Sequence, residues 1–295
     1  MLDTQPFINI GATAGLYSQI AGVLAGFAFT TLLSYLGRQP EEADVPGQPL
    51  GRPNQNQLGV RQQVAVVLFN TLGGLVVCAV LYGMLAGGSP DSGNSLSGMM
   101  VNGPAFCIAI LGIFFGTALA ATPFIHLQPM LASARILLGI VGPTIAMLLV
   151  AGASMDLSVE ECLRTGPAED CPASSQVTLS QPYGLGIGLT FLLALLAVAA
   201  VIACWRPKEP PSPWAARAMA HLIIGVPAIT VVGAIVVATM PADYLLPDVV
   251  QIAIEVATFV ILCLFAALAA RTCHYHPPRS PVGANEVPTG AKVAG

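Results

Sequence analysis

A chain of 295 residues with 55% hydrophobic and only 9% charged residues, at a mean hydropathy of +0.76, has more apolar surface than a soluble core of that length can hide, since ordinary globular chains carry about 25% charge. A formal net charge of −4, with 11 basic residues, offers no basic surface for nucleic acid. The solvent is therefore lipid, and the sequence predicts an all-α, polytopic membrane helical bundle.

Windows of about 20 apolar residues, enough to cross about 30 Å of hydrocarbon at about 1.5 Å per residue, recur along the chain. Seven transmembrane helices are predicted, near 9–36, 63–86, 104–125, 131–153, 184–205, 219–240 and 248–270. The runs are too long and too unalternating for barrel strands, and lipid-exposed backbone must satisfy its own hydrogen bonds. The seven helices form one domain over 1–276, and 277–295 has the composition of a disordered tail.

The opening MLDTQPFINIG lacks the basic n-region of a signal peptide and is read as a short lead into the first helix. That helix carries a polar stripe at Asn9, Thr13 and Tyr17 with i, i+4 spacing, and two G-x-x-x-G pairs, Gly11 with Gly15 and Gly22 with Gly26. Small residues at this spacing let helix backbones approach closely, within the bundle or across an oligomer interface. The connection that follows contains EEADVPGQPLGRPNQNQ (41–57), a poorly ordered composition. Asn70 and Thr71 in the second helix are read as packing contacts. A third glycine pair, Gly112 and Gly116, lies in the third helix, and a tight hairpin at Pro123 and Pro129 leads into the fourth. Pro143 and Pro227 interrupt the fourth and sixth helices, where kinks are expected. The fifth helix opens with Gly184, Gly186 and Gly188, and the Pro-rich RPKEPPSP (206–213) follows it.

Short loops rich in Lys and Arg stay on the cytoplasmic side. Loop 37–62 holds Arg38, Arg52 and Arg61, loop 206–218 holds Arg206, Lys208 and Arg217, and the tail holds Arg271, Arg279 and Lys292. Arg135 joins that face. Of the 11 basic residues, Arg164 alone falls on the other side, in a loop with Asp156, Glu160, Glu161, Glu169 and Asp170. The amino terminus is thus expected outside and the carboxyl terminus in the cytoplasm. Two further signals agree. Cys162 and Cys171 share an outer loop, where an oxidising compartment would join them as a disulfide. Tyr35, Tyr82, Tyr183, Tyr244, Trp205 and Trp214 stand near helix ends, at headgroup level. Cys78, Cys107, Cys204 and Cys263 fall in spans, as small hydrophobes.

The last helix begins DVVQIAIEVATFV (248–260). Asp248, Gln251, Glu255 and Thr258 follow steps of three, four and three, so they share one helical face while Val250, Ile252, Ala253, Ile254 and Val256 cover most of the rest. Glu255 lies about 10 Å along the axis from Asp248. An ionised carboxylate there costs on the order of 2 to 3 kcal/mol or more unless it is paired, hydrated or protonated. Three resolutions are open: a neutral acid donating across the bundle, a water-filled vestibule, or a cationic partner. Arg135 and His221 belong to the opposite membrane face, so the neutral stripe Asn9, Thr13 and Tyr17 is the expected neighbour. The functional reading is a polar cavity on the outer half for a small solute, ion or proton, with Glu255 as the switchable group. The alternative is a non-catalytic membrane subunit or scaffold whose stripe is a hydrogen-bonded packing seam.

The chain has no G-x-x-x-x-G-K-[ST], H-E-x-x-H, G-x-S-x-G or paired CxxC, so energy-coupled and common hydrolytic chemistries lose their usual markers. CHYH (273–276) is a single metal-compatible cluster in the tail; no metal site and no cofactor are assigned. Seven helices with an external amino terminus resemble rhodopsins and G-protein-coupled receptors in topology alone. Residues 248–270 contain no Lys for retinal, AAT (120–122) stands where D-R-Y would fall, and no N-P-x-x-Y occurs near 259–275. No family is recognised. The expected setting is a bacterial inner membrane, with the lipid bilayer as the main partner and the Gly-rich helix faces available to a second copy or another membrane protein.

Overall fold

The computed structural model describes residues 10–37, 55–88, 93–122, 128–166, 182–203 and 213–272. Among these residues every regular element is a helix: α1 (Ile10–Gly37), α2 (Gln55–Ala86), α3 (Gly93–Ala121), α4 (Gln128–Ile136), a π-helical turn (Leu137–Val141), α5 (Gly142–Thr165), α6 (Pro182–Ala203), α7 (Pro213–Ala238) and α8 (Asp248–Thr272). Seven stretches are long and apolar enough to cross a membrane, the fourth running unbroken through α4, the π turn and α5. The described residues are therefore all-helical, and their seven candidate spans are those of a multi-pass membrane protein.

The π turn has a local cause. Pro143 has no N–H and its ring would clash with the carbonyl four residues back. The backbone absorbs this by widening one turn, so that the Gly142 N–H reaches the carbonyl of Leu137. A Cβ on Gly142 would run into Leu111, so the same residue brings the widened turn close against α3.

The central element is α3, buried along most of its length and packed on α2, α5 and α7, with lighter contacts to α1 and α8. Small residues make that position possible. A Cβ on Gly112 would lie 2.5 Å from Thr71 Oγ1, and one on Gly116 would lie 2.6 Å from Leu68 Cδ2. The Gly112–Gly116 pair therefore packs α3 onto α2 within the bundle. In α1, Gly22 and Gly26 have open space where a Cβ would be.

Three expectations are corrected. First, α2 starts at Gln55 and not near 63, so that Arg61 is helical, α3 starts at Gly93 and not near 104, and α5 runs to Thr165 and not to 153. Asn94, Ser95, Ser97 and Asn102 have loop-like composition, yet Ser95, Ser97 and Asn102 are buried. The extension of α5 is amphipathic, with Leu157 buried and Glu160 bonded to Arg164 at 2.8 Å one turn on. Second, the first and last helices are not neighbours. α1 packs on α2 and lightly on α3, whereas α8 packs on α6, α5, α7 and α3. A ring of seven helices would bring its ends together, but here α3 fills the middle and separates them. Third, Tyr82, one turn before the end of α2, is enclosed by protein and does not face the lipid. It is 2% exposed and stacks with Tyr17 and Phe106, ring centroids 5.4 to 5.6 Å apart. Trp214 is exposed; Trp205 and the side chain of Tyr183 lie outside the described residues.

Candidate functional site

The polar face of α8 turns inward as its spacing requires. Gln251, Glu255 and Thr258 are 1%, 0% and 2% exposed, whereas Asp248, at the helix start, is exposed. An acid in the first turn complements the helix dipole, which suffices to explain Asp248. Thr258 satisfies itself, its hydroxyl donating to the Ile254 carbonyl at 2.7 Å.

Gln251 links two elements. Its Nε2 donates to the Leu246 carbonyl at 2.8 Å, and its Oε1 accepts from the Ser154 hydroxyl of α5 at 3.2 Å. Because a carbonyl needs a donor, the amide orientation is fixed by this pair.

Glu255 lies one turn deeper, against α6 and α5. A Cβ on Gly186 would be 2.8 Å from Glu255 Oε1 and 2.8 Å from the Ala151 methyl, so the carboxyl rests on bare backbone of α6. The Gly186 carbonyl is already engaged, accepting from Thr190 Oγ1 at 2.8 Å. Both Glu255 oxygens are buried and neither has a hydrogen-bond partner among the described residues. The Ser154 hydroxyl, donated to Gln251, also bears on the carboxyl without making a hydrogen bond of full geometry to it. Buried polar atoms are nearly always paired, so two bare oxygens on one carboxyl are a departure that packing alone does not explain. Asn102 Oδ1, on α3, is the other such atom among the described residues.

The end of the bundle above this seam is closed by the connection between α7 and α8. Asn94 Nδ2 donates to the Met240 carbonyl (3.1 Å), Arg164 Nη1 to the Asp243 carbonyl (2.7 Å) and Ser97 Oγ to the Tyr244 carbonyl (3.3 Å), while Ser97 Oγ accepts from the Leu246 N–H (3.1 Å). Gln251 thus ties a strapped-down turn to the seam that contains Glu255.

The other candidate residues lie elsewhere. Thr13 and Tyr17 are half-buried, and Tyr17 belongs to the aromatic cluster with α2 and α3. They do not join Glu255, because α3 stands between α1 and α8. Asn9 lies outside the described residues. Asn70 donates to the Ala220 carbonyl at 2.9 Å and Thr71 to Val67 at 2.8 Å, both packing contacts. A groove of about 460 Å³ runs between α7 and α8 beside α3; its walls are mostly apolar, including Val101, Ile229, Val237 and Ile254, with Thr230, Tyr244 and the stripe residue Thr258 among them, but Glu255 does not line it. Cys162 stands in the last turn of α5; Cys171, its expected partner, lies outside the described residues, as does CHYH. Cys78 and Cys107 are buried free thiols. Among the described residues no group of three His, Cys, Asp or Glu could hold a metal.

Sequence reasoning missed Ser154, Gly186 and Asn102. Ser154 and Asn102 fall just outside the apolar windows 131–153 and 104–125, and Gly186 is one of three alternating glycines with nothing to single it out. Comparison of the chain with protein-family models, curated proteins and solved structures gives no match. The site is therefore read on its own chemistry.

Proposed function

We propose that this chain is a transport or ligand-binding protein of a bacterial inner membrane, moving or sensing a small solute, ion or proton, with Glu255 as its switchable group. The observation that supports this reading is the carboxyl itself: fully buried, both oxygens bare, facing backbone cleared by Gly186. A group in that state is stable only with a proton, a cation or water, and taking up or losing that companion is a change of state. The polar path is the α5–α6–α8 seam and not the α1 stripe.

The threading belongs to the same proposal. The distribution of basic residues supports an amino terminus outside and a carboxyl terminus in the cytoplasm; on that threading Glu255 sits in the outer half, and Cys162 and Cys171 face an oxidising compartment where they form a disulfide. Thiol labelling of intact cells checks both points: the two cysteines should react only after reductant is added.

The test of the main reading is Glu255→Gln, which keeps shape and removes charge. A panel of small ions and solutes is screened as thermal stabilisers of the purified protein, because a ligand that binds only the native state raises its stability. A stabiliser found with the unaltered protein and lost in Glu255→Gln supports the site; one retained in full would leave only a packing seam. The second reading, a non-catalytic subunit or scaffold, is favoured by the open face at Gly22 and Gly26, beside the exposed Val23 and Phe27. Replacing both glycines by Leu would break a partner contact there and leave a transporter's ligand response intact.

A further inference from the structure

The geometry points to a proton as the species Glu255 takes up, and to Ser154 as the switch that passes its presence through Gln251 to the turn between α7 and α8; this rests on the reading of Glu255 as the working group. A metal cation needs a shell of several oxygens, about six for a hard divalent ion. On the α6 side the carboxyl meets the Gly186 backbone, whose carbonyl is engaged by Thr190, with the Ala151 methyl beside it. The Ser154 hydrogen is given to Gln251. One bare carboxyl there falls far short of a cation shell, but it is sufficient for a proton.

Ser154 has one hydrogen to give and two lone pairs to receive with. While it donates to Gln251 Oε1 at 3.2 Å, its oxygen remains an acceptor for a neutral Glu255. The donors then run one way: Glu255 to Ser154, Ser154 to Gln251, and Gln251 Nε2 to the Leu246 carbonyl at 2.8 Å. When the proton leaves, the carboxylate can only accept, and Ser154, on the neighbouring α5, is the hydroxyl available to donate to it. Turning that hydrogen towards Glu255 withdraws it from Gln251. The anchor of Leu246 then loses its own support, and the turn is left to Asn94, Ser97 and Arg164.

Other ionisable groups on the packed elements do not compete for this role. α6 offers none over Gly184–Ile202. α5 brings Asp156, Glu160, Glu161 and Arg164, all nearer its carboxyl end than Ser154, with Arg164 engaged by Glu160. α3 brings the Cys107 thiol, α7 brings Arg217 and His221 in its first turns, Arg135 lies in α4, and α8 itself carries the half-buried Cys263 thiol and the exposed Asp248 and Arg271. In the connection, Asp243 is exposed.

The experiment uses the full chain in liposomes. Dicyclohexylcarbodiimide adds to protonated carboxyls in apolar surroundings, and mass spectrometry locates the adduct. Glu255 should be modified, the yield should fall as pH is raised, and exchanging choline for sodium, potassium or magnesium should not change it. Saturable protection by one of these cations would overturn the proton while leaving Glu255 as the working group, and no modification at any pH would also overturn it. In parallel, amide hydrogen exchange over 243–247 is compared at matched pH between the unaltered protein and Glu255→Gln, which mimics the protonated form. The unaltered protein should exchange roughly two- to tenfold faster at high pH, the effect of one lost hydrogen bond, and converge with the variant at low pH. Ser154→Ala should differ from Glu255→Gln by the same factor at both ends of the pH range. Equal exchange in the unaltered protein and Glu255→Gln at every pH would overturn the switch. If instead the Glu255→Gln variant kept every stabilising ligand, the underlying reading would be the one to fall.

Discussion

Two helices carry polar stripes of nearly the same spacing in equally apolar surroundings, and the fold treats them differently. On α1, Thr13 and Tyr17 are half-buried at the edge of the bundle, and Tyr17 is absorbed into an aromatic cluster with Tyr82 and Phe106. On α8, Gln251, Glu255 and Thr258 are closed off entirely, and the carboxyl among them is left without a partner. The difference lies in the neighbours. α1 leans on α2 alone over most of its length, while α8 is hemmed in by α5, α6 and α7. A polar stripe on an apolar helix shows that its face meets protein or water, and the packing around it decides whether that face becomes a site.

The sharpest way to break this comparison is to fill the space at Glu255 and its nearest counterpart on α1. Gly186→Val should destabilise by about 3 kcal/mol, since the added carbons meet the Ala151 methyl and a buried carboxyl that has nowhere to go. Gly22→Val, with open space at its Cβ, should stay within about 0.5 kcal/mol. Denaturant titration of the two purified variants measures the gap. Next in size is Gln251→Leu, which strands the Leu246 carbonyl and frees the Ser154 hydroxyl, and should cost about 1 to 2 kcal/mol by the same titration. Tyr17→Phe keeps the ring cluster and should change stability by less than about 0.5 kcal/mol. The smallest effect is expected at Thr258→Val. Its hydroxyl bonds only within its own helix, so a loss of roughly 0.6 kcal/mol or less is anticipated in a melting experiment.

Much of this architecture is legible in the sequence. The spans are set by hydropathy, which needs no knowledge of neighbours, and the inward face of α8 is set by helical period. The choice of partner was not legible. Placing α1 beside α8 assumed a ring, and nothing in the run from Gly93 to Ala121 announces a helix that sits inside one. Its glycines and serines look weak by hydropathy and are strong by packing, as Gly112 against Thr71 and Ser97 against Leu246 show. Ser154 was hidden for a related reason. The charges at Asp156, Glu160 and Glu161 mark the chain there as leaving the membrane, although α5 continues through them to Thr165. Gly186 could have been singled out only by knowing what it faces.

The central claim is that the Glu255 carboxyl gains and loses a proton inside the α5–α6–α8 seam. Infrared difference spectra between acid and alkaline samples, recorded for the unaltered protein, Glu255→Gln and Tyr17→Phe, test it most directly. The account predicts a carbonyl stretch of a neutral buried acid that disappears on raising the pH, is absent in Glu255→Gln and is unchanged in Tyr17→Phe. A difference spectrum identical in the unaltered protein and Glu255→Gln would contradict it.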